Sequence, residues 1–393
     1  MNTIRLLLAW LVGLSAASAQ DAETYPPILV GAAISQSGAQ ADLAGEYLKG
    51  LELWREEVNR AGGLLGRRVE LRVLDDTSQA MRNGPLYGQL IREEKADLLI
   101  GPYGSAATLV AAGETERARR LMINGAGPAA VVHSRAPRYL FQSAIPYSAY
   151  GVGPLEIAAE AGFRRIYILG RDDPASREAA EAAHARATKE FATSTIEFYR
   201  AGTVDFKTEV ARARAAQAEA WIAFGDERDA AEMVKTFRKL DFAPPLFFVR
   251  GASHPRFIAR VGQDAEFTLG AVDFDPRIGE AARRFAEAYT ARWKAPPGLA
   301  AAQGYAAGTV LAGGVRSAGT LNQEKLRAAL AELELPTVFG DHHVAPENGT
   351  QTGIKPAVVQ ILKGRPEVVW PPARETAKWS LPYPRWEERT LYK

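Results

Sequence analysis

The sequence predicts an α/β protein made of parallel sheets flanked by helices, arranged as two successive units. Three observations predict it. Short apolar runs with β-branched content alternate with longer segments of helical period along most of the 393 residues. The alternation falls into two series, each large enough for a domain, in a chain whose length suggests two to three domains at roughly 150 residues each. The composition, 47% hydrophobic and 24% charged, is that of a globular chain able to bury at least two cores and excludes wholesale disorder.

The elements follow in order. Ile28 to Ile34 reads as a strand. Ala44, Tyr47, Leu48, Leu51 and Val58 recur at helical spacing within 41–61, and Gly62-Gly63 stops that helix. Val69, Leu71 and Val73 alternate as a second strand. Helix 80–94, strand Asp97 to Ile100, helix 106–119 and strand Leu121 to Ile123 complete a βαβα series. After Tyr139 to Ser143 a second series begins, with strands at Ile166 to Leu169, Thr195 to Tyr199, Trp221 to Phe224 and Leu246 to Val249. Helices are expected between them near 150–162, 174–191, 206–217 and 228–240. Three further helices at 279–294, 299–317 and 322–332 precede a strand at Val358 to Leu362. Residues 371–393, rich in Pro, Trp and Arg, lack a period and are expected to form an irregular arm. No Gly/Ser linker separates the two series, which suits domains joined by short hinges.

The first nineteen residues read as an address. Arg5 supplies a positive start, Leu6 to Leu14 an apolar stretch, and Ala17-Ser18-Ala19 a small-x-small cleavage site. The stretch is shorter than the roughly 20 residues a spanning helix needs, so a cleaved secretory signal is expected, with Gln20 as the new N-terminus. Loss of Arg5 would leave 47 basic and 46 acidic residues, a net charge of +1. That balance argues against a nucleic-acid-coating surface. Export of the mature chain is expected.

Catalytic and cofactor motifs are missing. With no Cys, thiol nucleophiles, disulfides and thiolate metal sites are excluded. There is no phosphate-binding G-x-x-x-x-G-K-[ST] loop and no G-x-S-x-G elbow. Gly125-Ala126-Gly127-Pro128-Ala129-Ala130 mimics a dinucleotide fingerprint, but Pro128 removes a backbone donor and the match follows the fourth strand rather than the first. His342-His343 is expected to be a surface pair rather than a metal site. Asp75-Asp76 could meet a cation or a ligand amine, or serve as a cap or hinge. Asn348-Gly349-Thr350 reads as a turn. No catalytic residue, cofactor or metal is expected.

The run Val58-Asn59-Arg60-Ala61-Gly62-Gly63-Leu64-Leu65-Gly66-Arg67-Arg68-Val69-Glu70-Leu71, leading to Asp75-Asp76, resembles the signature of type I periplasmic solute-binding proteins. The resemblance is to the leucine/isoleucine/valine-binding group of ABC importers. Ile100 to Thr108, Asn348-Gly349 and Pro356 to Ile361 with Gly364 extend it over residues 28–365. It implies two Rossmann-like lobes joined by three hinge crossovers near 142–144, 271–273 and 340–342. Lobe one would be 28–142 plus 273–340, and lobe two 143–272 plus 341–370. It also implies a periplasmic monomer with an inner-membrane ABC permease as partner, with a ligand-binding sensory module as the alternative.

The ligand would be an amino acid, an amide or an organic carboxylate. Ser105 opens helix 106–119, where free amides and the helix dipole favour an anion; otherwise it is only an N-cap. Ala126 and Pro128 match a second contact turn, and Ser37 belongs to the implied ligand set. Tyr103 and Tyr147 either cover the ligand or are half-buried core aromatics. Three positions depart from the family's amino-acid binders. Pro128 stands where they carry a hydroxyl residue, Ala175-Ser176 where they often carry Tyr, and Arg250-Gly251 where they place an acid. Arg250 suits a carboxylate and repels an ammonium. The expectation is a ligand lacking the α-ammonium, unless Asp226 or Glu227 meets the amine.

Overall fold

The computed structural model describes residues 25–388; the expected signal segment at 1–19 lies outside them. The first unit runs β1 (Ile28–Ala33), α1 (Ala41–Arg60), β2 (Val69–Leu74), α2 (Asn83–Arg92), β3 (Leu98–Ile100), α3 (Ser105–Arg117), β4 (Met122–Asn124) and β5 (Leu140–Gln142). Its strands form a parallel sheet in the order β2-β1-β3-β4-β5. The second unit runs α4 (Val152–Glu160), β6 (Arg165–Arg171), α5 (Pro174–Glu190), β7 (Thr193–Tyr199), α6 (Lys207–Ala215), β8 (Ala220–Phe224), α7 (Glu227–Lys239), β9 (Leu246–Val249), α8 (Pro255–Val261) and β10 (Leu269–Val272).

The chain then leaves the second sheet for α9 (Glu280–Trp293), α10 (Leu299–Ala318) and α11 (Gln323–Ala331). A hairpin of β11 (Leu335–Thr337) and β12 (Gly340–His342) leads to β13 (Ala357–Leu362) and β14 (Arg365–Trp370). These last strands join the second sheet antiparallel, giving β14-β13-β10-β9-β8-β6-β7. In both sheets the parallel order reverses beside an early strand, so crevices open at the strands' C-terminal ends.

Helix α10 does not pack on the sheet that precedes it. Ala300, Ala307, Val310, Leu311 and Val315 lie in the core of the first sheet with Ile28, Val30 and Tyr47. Glycines permit this. A Cβ on Gly50 would sit 1.9 Å from the Ala301 carbonyl oxygen, and one on Gly304 2.0 Å from that of Tyr47. The two helices therefore meet backbone to backbone. The chain makes three passages between the units, after Gln142, after Val272 and, beyond Val344, past Gly349 to β13. The first and third run side by side, with Gln142 N donating to Gly349 O (2.9 Å) and Gln351 N to Gln142 Oε1 (3.2 Å).

Several elements are absent from the sequence reading. β14 carries Pro366, which an edge strand tolerates, and β10 is only four residues long and contains Gly270. β11 contains Pro336, and α8 is only seven residues long. The expected surface pair His342-His343 is corrected: in a strand, side chains alternate, and His342 is buried while His343 faces out to bond Thr352 Oγ1 (2.9 Å). Both His342 ring nitrogens lack partners, and burial holds its pKa down to about 4, so it is neutral near pH 7. Among the described residues the arm after 370 has only short 3-10 turns, at Pro372–Arg374 and Trp386–Glu388, yet it packs on the second unit. Tyr383 is buried against Phe247, and Trp386 Nε1 donates to Phe242 O (2.9 Å). Ser380 N donates to Gln360 Oε1 (2.7 Å).

Gly304→Ala should push α10 off α1 and destabilise the protein by about 1–3 kcal/mol, the usual range for overpacking. A drop of several degrees in the thermal midpoint would register it. An unchanged midpoint would mean that the two helices do not touch at this glycine.

Candidate ligand-binding cleft

Two turns of the first unit are built to present backbone. Gly104, at φ +94°, breaks the chain direction after β3 and lets α3 begin at Ser105. No side chain caps this helix, so its first-turn amides have no partner from a cap. The turn after β4 is held by Asn124, whose Oδ1 accepts from Gly127 N (2.7 Å) and whose Nδ2 donates to Gly127 O (2.8 Å). Tyr103 and Ala126 pair as a parallel bridge, and Gly104 N donates to Ala126 O (3.1 Å), so the two turns are fixed to each other. Ser105 Oγ accepts from Ala129 N (3.2 Å), which leaves its proton available to an incoming acceptor.

These turns face the second unit across a cavity of about 250 Å³. Its walls bring together Tyr103, Ser105, Ala126 and Pro128 from one side with Tyr147, Tyr150, Arg250 and Asp273 from the other. Gln303 of α10 and Phe339 of the hairpin close it. A second space of about 390 Å³ shares Tyr103, Ser105 and Tyr147 and continues past Ser35, Asp76 and Asp173. Glu178 of α5 bonds from the second unit to the first: its Oε2 accepts from Ala130 N (2.9 Å). Desolvation raises the Glu178 pKa.

Six of the eight sequence-expected residues thus line one cavity: Tyr103, Ser105, Ala126, Pro128, Tyr147 and Arg250. Ser37 and Glu227 are not among the residues lining it. Ser37 Oγ donates to Asp75 Oδ2 (2.8 Å) in the turn after β1. Glu227 sits in the first turn of α7, beside the Asp226 cap. Asp226 and Asp173 are both engaged by Arg171, which helps hold both carboxyls below their ordinary range despite burial. Asp75 and Asp76 are spent on their own turn. Asp76 is buried, accepting from Ser35 Oγ (2.5 Å), Ser78 N (2.9 Å) and Asn83 Nδ2 (3.0 Å).

Asp273 was not singled out by the sequence. It follows β10 immediately, in the second passage between the units. Its Oδ2 accepts from Tyr150 OH (2.6 Å), whereas Oδ1 is closed to solvent and has no partner. Desolvation raises its pKa, opposed by the Tyr150 bond and the charge of Arg250. An aspartate ending a strand that faces the cleft was the available signal, but Gly270 hid the strand. Among the described residues, no group of three or more His, Asp or Glu side chains could hold a metal ion, and no helix is long and apolar enough to cross a membrane.

Residues 27–365 match the family model described as "Periplasmic binding protein". An "Amino acid binding protein" of Pseudomonas aeruginosa is 22% identical over 347 residues, covering 86% of this chain and 89% of the relative. A substrate-binding protein of a branched-chain amino acid transporter from Streptococcus pneumoniae, solved with isoleucine, superposes with a TM-score of 0.63. That match is 20% identical and covers 91% of this chain and all of the other. A solute-binding protein of an ABC transporter from R. palustris, solved with benzoate, gives 0.62 at 20% identity, covering 91% of this chain and 97% of the other. At such identities the solved structures show the shared α/β fold.

Asp273 makes a pH prediction. Because its folded pKa is raised, the folded state takes up a proton before the unfolded state does as pH falls. Its destabilising effect is therefore full above the folded pKa and fades as pH drops toward the unfolded value. Asp273→Asn, which keeps the shape and removes the buried charge, should stabilise the ligand-free protein at pH 7 by about 1 kcal/mol, since an undersatisfied buried group costs roughly 1–3 kcal/mol and a charged one more. Urea melts at pH 7 and pH 5 should show a smaller pH response in the variant than in the wild type. Identical pH responses would mean that this carboxyl is not buried in solution.

Proposed function

The chain belongs to the periplasmic binding protein family, a family of solute-binding proteins rather than enzymes, and from that premise we propose that it captures a small carboxylate-bearing solute between its two α/β units and hands it to an inner-membrane ABC permease. The single observation that carries this reading is the one-sided donor set at Ser105. Uncapped amides, a helix dipole and a hydroxyl with its proton to spare converge on a cavity, and an anion satisfies all three. Export through the signal at 1–19 brings the protein to the compartment where such a solute is met.

Binding needs no chemistry. The ligand's carboxylate docks on the first unit, and the second unit brings Tyr147, Tyr150, Arg250 and Asp273 over it. Closure turns about the short passages near Gln142, Val272 and Gly349, which absorb the rotation in a few residues. The ligand stabilises the closed arrangement only as far as it binds that arrangement more tightly than the open one. Tyr103 and Tyr147, half-buried in both spaces, are placed to cover the ligand's flat or apolar part.

Thermal unfolding against a panel of amino acids, amides and aromatic and aliphatic carboxylates tests the reading. A true ligand at about 100 times its dissociation constant adds roughly 2.7 kcal/mol, a shift of several degrees. Ser105→Ala should then weaken the ligand found by about ten- to a hundredfold by calorimetric titration, the loss expected for a hydrogen bond to a charged group. A panel without a single shift, or full affinity in Ser105→Ala, would sink the carboxylate reading.

A further inference from the structure

The ligand end that meets the second unit is also constrained. Arg250 and Asp273 are the charged residues lining the 250 Å³ cavity among the described residues. They come from neighbouring strands: Arg250 opens the turn after β9 and Asp273 follows β10, and Phe248 and Leu269 are in register between the two strands. The two side chains nevertheless do not close into an ion pair. Tyr150 lies with both: its hydroxyl donates to Asp273 Oδ2 (2.6 Å), and the Arg250 guanidinium carbon lies 5.7 Å from its ring centroid. Asp273 Oδ1 and Arg250 Nε are buried and unpartnered. Opposite charges held apart beside an open cavity, each with polar capacity unused, form a site waiting for a third group.

We propose that Arg250 and Asp273 act as one recognition unit for the far end of the ligand, an end that presents both an accepting oxygen and a donating N–H. This rests on the cleft reading above, in which Ser105 takes the carboxylate at the near end. The reasoning is one of exclusion by charge. A bare carboxylate at the far end would suit Arg250 and be repelled by Asp273. A bare ammonium would meet the reverse. An alkyl group would leave both polar groups unpaired in a dry site, which is the strongest form of rejection a binding site has. A carboxamide, a ureido group or an α-amino-acid head gives its oxygen to the guanidinium and its N–H to the carboxylate, and satisfies both. Arg250 therefore does not exclude nitrogen-bearing ligands, as it would if it stood alone; Asp273 restores the balance.

Calorimetric titration of the purified protein with matched probes tests this. The set is succinamate, 3-ureidopropionate and glutamate against succinate and 4-methylpentanoate, the last being the apolar isostere of succinamate. The wild type should bind at least one of the first three tenfold or more tightly than both of the others. Arg250→Gln and Asp273→Asn, each near-isosteric and checked for a cooperative melt, should each erase that preference, and the double variant should lose little more than either alone. Which probe leads tells an amide or ureido end from an amino-acid head. A wild type that prefers succinate or 4-methylpentanoate, or a preference that survives both substitutions, overturns the recognition unit. Equal binding of all probes overturns it while leaving the Ser105 reading intact. No binding by any probe overturns both.

Discussion

Backbone contact between α1 and α10 is the constraint on which the rest of the molecule depends. Gly50 and Gly304 leave no room for a Cβ at the crossing, and a Cβ on Gly308 would meet the Trp54 ring at 2.3 Å. The pairing joins helices some 250 residues apart in sequence. It obliges the chain to leave the first unit, build most of the second, return, and leave again. Three passages between the units follow from that single packing arrangement, and the first and third run side by side. The 250 Å³ cavity then lies between the strand ends of the two sheets.

The two walls of the cavity differ in kind. The first unit offers backbone amides and a hydroxyl, fixed by the turns after β3 and β4, which hold each other through Tyr103, Gly104 and Ala126. Such a wall presents donors to an acceptor. The second unit offers side chains of opposite charge and two tyrosines. The departures noted in the sequence fall on both walls, Pro128 on the first and Arg250 on the second.

Much of the architecture was legible in the sequence because strand and helix periods differ, and because buried parallel strands such as Trp221 to Phe224 are continuously apolar. The elements that escaped are those in which a local rule is broken by position: Pro366 on an edge, Gly270 within a four-residue strand, a hairpin containing Pro336. Site legibility followed the same line. Ser105 could be found because its chemistry is local, a helix start. Arg250 could be found because it replaced something expected. Asp273 could not, since its importance comes from Tyr150, 123 positions away, and from a cavity that exists only when both units are assembled. His342 shows the converse: two adjacent histidines look like a surface feature until strand alternation buries one of them.

The bridge from Glu178 to the Ala130 amide bears on time rather than on affinity alone. It joins the two units without lining the 250 Å³ cavity. In the closure proposed above, a contact of this kind would break at each opening and form again at each closing, so its strength would set how long a solute dwells inside more than how fast one enters. A strong bridge retains scarce solute through many encounters; a weak one releases it promptly when a receiving protein pulls the units apart. Burial raises the pKa of this carboxyl, so acidification of the surroundings removes its charge and weakens the bridge.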